Sequence, residues 1–394
     1  MLLTAKVFVL AALAMLTACA ADVARPPKSA TVIALMPPDG AFGDAPDDFA
    51  AEVTALTAGS LELRSELLES AGVPVLELFD RVDSGEIPLA VAPPAAFFVD
   101  GKPLSIGPLL VSGMPFGFSA EEFLSWYQAG GGEALIQSIY DRRSRSGNVI
   151  VYPLVFTASE PPGFFIDPVP ENADAFNKSG ITYRINMLGA QVMKTAFPDL
   201  TIVDSPPGVV PVDDMCTGKI RGAELGTLSV YERLFFDRFS HENGENIVEC
   251  GFRHLYLSSW QQPMLSNWLL ISRVFYDGLE PHEQQAIRSA ATANLARSLA
   301  RDLARGSGVV EKISAAGATV HASLPEEIMA RLRAATEVVL KQASNADPDF
   351  ALIVESMTTF ARENQSTLLY DGIPADERFN LLPAWRSDFA TVVD

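Results

Sequence analysis

Hydrophobic and polar positions alternate in short runs along most of the chain, and the period of those runs switches repeatedly between two and 3.6. TVIALM, Thr31 to Met36, predicts a strand, PDDFAAEVTALTAG a helix capped at Gly59, and LELRSELL a second strand. VPVLELFDRVDSG then predicts a helix ending at Gly85, and IPLAVAPP a third strand. Strands alternating with helices predict an open, mostly parallel sheet, with ligands bound beyond the carboxyl ends of its strands. A helical stretch from Ala120 to about Ser146 contains Gly130, Gly131 and Gly132. Three glycines cost about 1 kcal/mol each inside a helix, so two helices broken there are expected.

A second round follows. NVIVYPLVF, GFFI and GITYRIN predict strands, GAQVMKTAF a helix, LTIVDS a strand, Pro211 to Thr217 a helix and IRGAELG a strand. RHLYLSSWQQP and SNWLLISRVFYDGL read as strands of a connecting sheet, and helices over Pro281 to Arg305, Pro325 to Ser344 and Asp349 to Thr367 close the chain. The expected fold class is α/β: two lobes, each a β-sheet flanked by helices, with a ligand cleft between them and a helical C-terminus. The first lobe is expected over residues 30–158 with 253–288 and the second over 159–252 with 289–345, followed by a C-terminal helical segment, 346–394.

Within GITYRINMLGA, alternation puts Ile181, Tyr183, Ile185 and Met187 on one face and Thr182, Arg184 and Asn186 on the other. Arg184 therefore points to water, sits in a structural ion pair, or faces a ligand.

Composition changes the picture at the N-terminus. Residues 1–18 carry Lys6 and ten apolar residues from Val7 to Leu16, the pattern of a secretion signal. Ten helical residues rise only about 15 Å, half of what a bilayer core requires. Leu16-Thr17-Ala18-Cys19 resembles the lipobox of bacterial lipoproteins, which implies lipidation of Cys19, a tether over 19–29 and a periplasmic, membrane-anchored location. The formal charge of −20 repels nucleic acids and anionic lipid surfaces. Cys216 and Cys250 remain after Cys19, and an oxidising compartment permits them one disulfide; two buried thiols are the alternative. None of His241, His254, His282 and His321 lies in a His-Glu-x-x-His motif, and no nucleophile elbow, P-loop or dinucleotide fingerprint occurs. A hydrolase-type site built on carboxylates such as Glu160 and Glu224 is the weaker reading, and Asp213-Asp214 reads as a helix-start pair.

Four strings in order carry a family resemblance. SGMPFGFSAEEFLSWYQAGGGEALIQSIY, GITYRINMLGA, TGKIRGAEL and SSWQQP resemble motifs of the solute-binding proteins of tripartite ATP-independent periplasmic (TRAP) transporters, nearest the branch for 2-oxo acids and lactate. The resemblance runs from about Ala30 to Leu369. It implies a two-lobed periplasmic binding protein that captures a small 2-oxo or 2-hydroxy monocarboxylate or a C4-dicarboxylate by hinge closure, without catalysis, and delivers it to the membrane subunits of an importer. Arg184 matches the arginine that forks onto the ligand carboxylate. Glu160, Glu224 and Gln262 match the positions that hold a cation bridging protein and ligand. Two of the three have changed type, yet the set keeps two carboxylates and one amide, which suit Ca²⁺, Na⁺ or Mg²⁺. Asn186, Phe116 and Trp260 are further ligand-contact candidates, and Phe118, Phe164 and Phe165 either line the cleft or pack in cores. The pattern's Asp is Arg221 and its usual aromatic is Leu225, so the pocket wall is reshaped, and the reversed charge at Arg221 implies either a different ligand or a pair with a nearby carboxylate. A ligand-sensing lipoprotein that feeds a receptor is the alternative function. Phe350, Ile353, Met357 and Phe360 share one helical face, which either packs on its own lobes or exchanges between the subunits of a homodimer.

Overall fold

A computed structural model describes residues 27–35, 43–94, 105–204, 212–231, 248 and 250–364. The signal segment, Cys19, His241 and the residues after 364 lie outside that set. In the first sheet are β1 (Lys28–Ala34), β2 (Leu61–Leu67), β3 (Leu89–Ala92), β4 (Val149–Phe156) and β10 (Ser266–Ser272), in the order β2-β1-β3-β10-β4. The second holds β5 (Gly163–Phe165), β6 (Thr182–Arg184), β7 (Thr201–Val203), β8 (Gly222–Ala223), β9 (His254–Tyr256) and β11 (Thr319–His321), in the order β11-β9-β5-β8-β6-β7.

The first three strands are parallel, as their alternation with helices predicts, and β10 enters antiparallel between β3 and β4. Strand β1 starts at Lys28, so the expected tether over 19–29 is too long at its C-terminal end. Lys28 is tied down twice: its N–H donates to Ser60 O at 2.9 Å, and its ammonium meets the buried Glu283 carboxylate at 2.7 Å.

No separate connecting sheet forms among the described residues. RHLYLSSWQQP supplies β9 to the second sheet, whereas SNWLLIS is β10 of the first, and the chain then turns into a short helix, Arg273–Asp277. The stretch 253–288 is therefore split between the sheets, because a three-residue strand carries no local record of its distant partner. Helix Pro281–Gly306 also departs from the expected boundary at residue 289, since it lies on the first lobe against β4. Its Arg297 and Arg301 face Glu52 and Asp48 of helix Ala45–Leu56, and its Arg305 faces Asp44, the N-cap of that helix.

Two chain segments cross between the sheets as an antiparallel pair. Thr157 N donates to Leu265 O at 3.1 Å, and further along Glu160 N donates to Gln262 O at 3.0 Å.

The central strands β3 and β10 are buried on both faces, which explains why they read as near-continuous apolar runs, whereas edge strand β2 alternates. Phe49, Val53, Leu154 and Ile287 fill one side of the first sheet, and Trp126, Tyr140, Trp268 and Met357 the other. Successive residues of β5 point to opposite sides, Phe164 joining Tyr231 and Leu255, Phe165 joining Tyr183 and Phe197. The glycine-rich break falls between helices Ala120–Ala129 and Gly132–Arg143, where Gly131 takes φ +85°. Ser119 and Glu122 form the capping box of the first of these helices. Helix Pro348–Glu363 buries Phe350, Ile353 and Met357 in the core of its own first lobe. Cys216 and Cys250 are joined in a disulfide.

Candidate functional site

The crossing segments bring one position of the first lobe's exit strand, Glu160, next to the carboxyl ends of β6 and β8. Because β6 and β8 run parallel with Arg184 opposite Ala223, the residue after the pair, Glu224, sits beside the arginine. Glu224 N donates to Arg184 O at 2.9 Å. In return Arg184 Nη1 donates to Glu224 Oε2 at 2.8 Å and to the Glu224 main-chain carbonyl. Arg184 is only 2% exposed and Glu224 1%. The outward-facing reading of Arg184 is thus excluded: β6 lies inside a six-stranded sheet, and its polar face looks onto the crossing segments, not onto water.

Local backbone geometry holds these strand ends close. Gly163 opens β5 at φ +100°, and a Cβ there would lie 1.9 Å from Ala223 O and 2.9 Å from Glu224 Cα. Only glycine permits that approach. Tyr183, on the opposite face of β6, donates its hydroxyl to Pro162 O at 2.6 Å.

Glu160 and Gln262 face each other across the crossing pair, 4% and 1% exposed. Gln261 clamps the same turn, its Nε2 donating to Glu160 O at 2.9 Å and Pro161 O at 3.0 Å. Burial, and then the neighbouring Glu224 carboxylate, push the Glu160 carboxyl well above the usual carboxylate range, while Arg184 pulls it part of the way back. The two carboxyl groups lie close enough to act on each other. Two buried acids thus share one guanidinium, an imbalance that a proton or a bound cation corrects.

Three polar atoms around this cluster are buried without a hydrogen-bond partner: Asn186 Oδ1, Gln262 Oε1 and Trp260 Nε1. Two are acceptors that lack a positive partner, and the third is a donor that lacks an oxygen. Buried polar groups are rarely left so, and a site for an ion or ligand is a common reason. Two carboxylates and two amide oxygens are a hard-oxygen set that fits Ca²⁺ or Na⁺. Counting only His, Cys, Asp and Glu, no cluster of three suited to a metal occurs among the described residues.

Phe116 and Trp260 close one side. Phe116 N donates to Trp260 O at 2.7 Å, the two ring centroids lie 5.8 Å apart, and Phe116 takes the unusual φ of +57°. The Arg333 guanidinium stands 4.7 Å from the Phe116 ring centre. The other aromatic candidates are core: Phe118 packs edge-on against Phe360, Phe164 against Tyr231, and Phe165 stacks on Tyr183. Arg221 is exposed and paired with Asp167, so it takes the ion-pair alternative. Leu225 is buried among Met215, Ile220 and Tyr231. Gln261 and Asp302, a buried acid near Glu160, were missed from sequence.

No protein-family model matches the chain, and no curated protein does. Solved structures do match. A TRAP periplasmic solute-binding protein from Pseudoalteromonas atlantica T6c, with bound sodium and pyruvate, superposes with a TM-score of 0.70 at 18% identity, over 88% of this chain and 100% of that one. One from Colwellia psychrerythraea, with calcium and pyruvate, gives 0.69 at 19% identity, over 87% and 98%. A TRAP transporter solute-binding protein from Bordetella bronchiseptica RB50, described as a mixed-occupancy dimer with calcium and picolinate in the occupied active site, gives 0.69 at 20% identity, over 92% and 99%. The chain has the two-lobed α/β fold of these solute-binding proteins.

Proposed function

We propose that the protein is the substrate-binding subunit of a TRAP-type importer, which captures a small organic acid together with a cation and presents it to membrane subunits. The observation that carries this reading is the buried cluster at the crossing: two carboxylates against one guanidinium, ringed by two unfilled amide oxygens and one unfilled indole N–H. A cation would satisfy the excess acid and the amide oxygens of Gln262 and Asn186. An acid's oxygen would satisfy Trp260 Nε1, and its carboxylate would meet the Arg184 guanidinium. The ligand class follows from this pairing of cation and carboxylate, with a 2-oxo or 2-hydroxy oxygen as the natural bridge. Closure is favoured only by contacts that the open form lacks, and these charges supply them.

The test is a thermal-shift panel of pyruvate, lactate, succinate and related acids, with Ca²⁺, with Na⁺ or with EDTA in a sodium-free buffer. An acid at 100 times its dissociation constant stabilises by about 2.7 kcal/mol. Stabilisation by an acid only when a cation is present supports the reading. Failure of every acid to shift the midpoint in either cation overturns it.

A further inference from the structure

The outer edge of the first sheet is finished by side chains and not by another strand. β4 is the edge strand. At its start Gln137 takes both groups, Nε2 donating to Val149 O at 2.7 Å and Oε1 accepting from Val151 N at 3.1 Å. Farther along, helix Pro281–Gly306 supplies three rungs from successive turns. Asn294 Nδ2 donates to Leu154 O at 3.0 Å, Ser298 Oγ accepts from Phe156 N at 3.1 Å, and Asp302 Oδ2 accepts from Ala158 N at 2.9 Å. Every fourth helical residue advances about 6 Å and every second strand residue about 6.6 Å, so the two repeats stay in step for three rungs.

The last rung is chemically unlike the others. Asp302 is an acid where the earlier rungs are neutral, and it is buried. Its other oxygen accepts from Thr227 Oγ1 at 2.8 Å and from Ser229 Oγ, both in the segment that follows β8. Ala158 is two residues before Glu160, and Thr227 is three residues after Glu224. One carboxylate therefore holds the roots of both acids, one on each side of the crossing. We infer that Asp302 is a positioning residue that sets the separation of Glu160 and Glu224. Neutral N–H and O–H donors suffice for it, and a serine or asparagine, as on the earlier rungs, could not accept from three donors with the same geometry.

This role rests on the reading of Glu160 and Glu224 as cation ligands, and two readouts keep the two ideas separable. Asp302→Asn is compared with Ser298→Ala, which removes a rung that touches neither acid's segment. The first readout is Ca²⁺ affinity by calorimetric titration, alone and with pyruvate. Asp302→Asn should weaken it ten- to hundred-fold, the range for residues that orient metal ligands, and Ser298→Ala by less than threefold. The second is hydrogen exchange of the Glu160 and Glu224 amides, which needs no ligand. Both should exchange about tenfold faster in Asp302→Asn and unchanged in Ser298→Ala. Wild-type protein that binds no Ca²⁺ would leave Na⁺ as the cation for the site, and exchange then decides the positioning. Equal exchange at these two amides in both variants, or wild-type Ca²⁺ affinity in Asp302→Asn, overturns the role of Asp302.

Discussion

Arg184 and Glu224 are bound to each other three times, main chain to main chain at 2.9 Å, side chain to side chain at 2.8 Å and side chain to main-chain carbonyl, inside a region that excludes water. The pair is therefore part of the fold as well as a candidate ligand anchor. Removing one partner of such a pair costs about 3 to 5 kcal/mol, since the other charge stays buried. Arg184→Ala should lose that much in urea unfolding. Arg184→Lys should recover part of the stability but not the acid affinity, because an ammonium cannot fork onto a carboxylate. Equal acid affinity in Arg184→Lys and wild type would exclude the fork.

Glu160 should behave in the opposite sense. Its carboxyl is disfavoured as an anion by burial and by Glu224. Glu160→Gln should raise the unfolding midpoint in EDTA, by about 1 kcal/mol of stability, and abolish the shift produced by Ca²⁺. A destabilised variant with an intact Ca²⁺ response would contradict the cluster's charge balance.

Gly163 is expected to be intolerant of any side chain. Its φ of +100° and the 1.9 Å approach to Ala223 O act together, so Gly163→Ala should cost about 3 kcal/mol or more. Gly251→Ala is the control, with φ +94° but no described residue within 4 Å of the added Cβ, and should cost about 1 kcal/mol. Chemical denaturation of the two variants side by side measures the difference.

The C-terminal helix is clasped to the first lobe by charges that titrate. Asp349 meets Arg142 and Arg143 at 2.6 Å each. Burial opposes its ionisation, but the hydrogen bonds from Arg142 and Arg143 outweigh burial and hold the carboxyl below its ordinary value. A lowered folded-state pKa contributes stability that is present above the unfolded-state value, about 3.9, and lost as pH falls through the folded-state value. Asp349→Asn should cost about 1 to 2 kcal/mol at pH 7, and the gap to wild type should narrow as pH falls below about 4. Urea midpoints across pH 3 to 7 read this directly.

The Cys216–Cys250 bridge spans 34 residues and ties the segment before β8 to the turn before β9. Its loss should cost about 3 to 4 kcal/mol. Unfolding with and without a thiol reductant gives the value.

How much of this was readable from sequence depended on the range of the interaction. Helix Ala120–Ala129 announces itself through Ser119, Glu122 and the glycines that follow, all local signals. One partner of β9 is 65 residues away in β11 and the other lies far upstream in β5, and nothing in His254–Tyr256 records either. Arg184 stood out because a charge in an apolar strand is anomalous, yet alternation alone aimed it at solvent. Its burial comes from the crossing segments, which no local pattern encodes. Asp302 was passed over because helix Pro281–Gly306 carries many charges on its exposed side, and only packing distinguishes the acid that turns inward.

The side chains that finish β4 also bear on how the protein behaves in a crowd. An open strand edge is a template for polymerisation by strand addition, and Gln137, Asn294 and Ser298 occupy the hydrogen-bonding groups such an addition would need. The opposite edge, β2, carries exposed Glu62, Arg64 and Glu66, whose charges discourage a second copy from pairing there. The first lobe is thereby guarded at both ends of its sheet against fibril-like stacking, and mixed-side-chain capping does for β4 what charge does for β2.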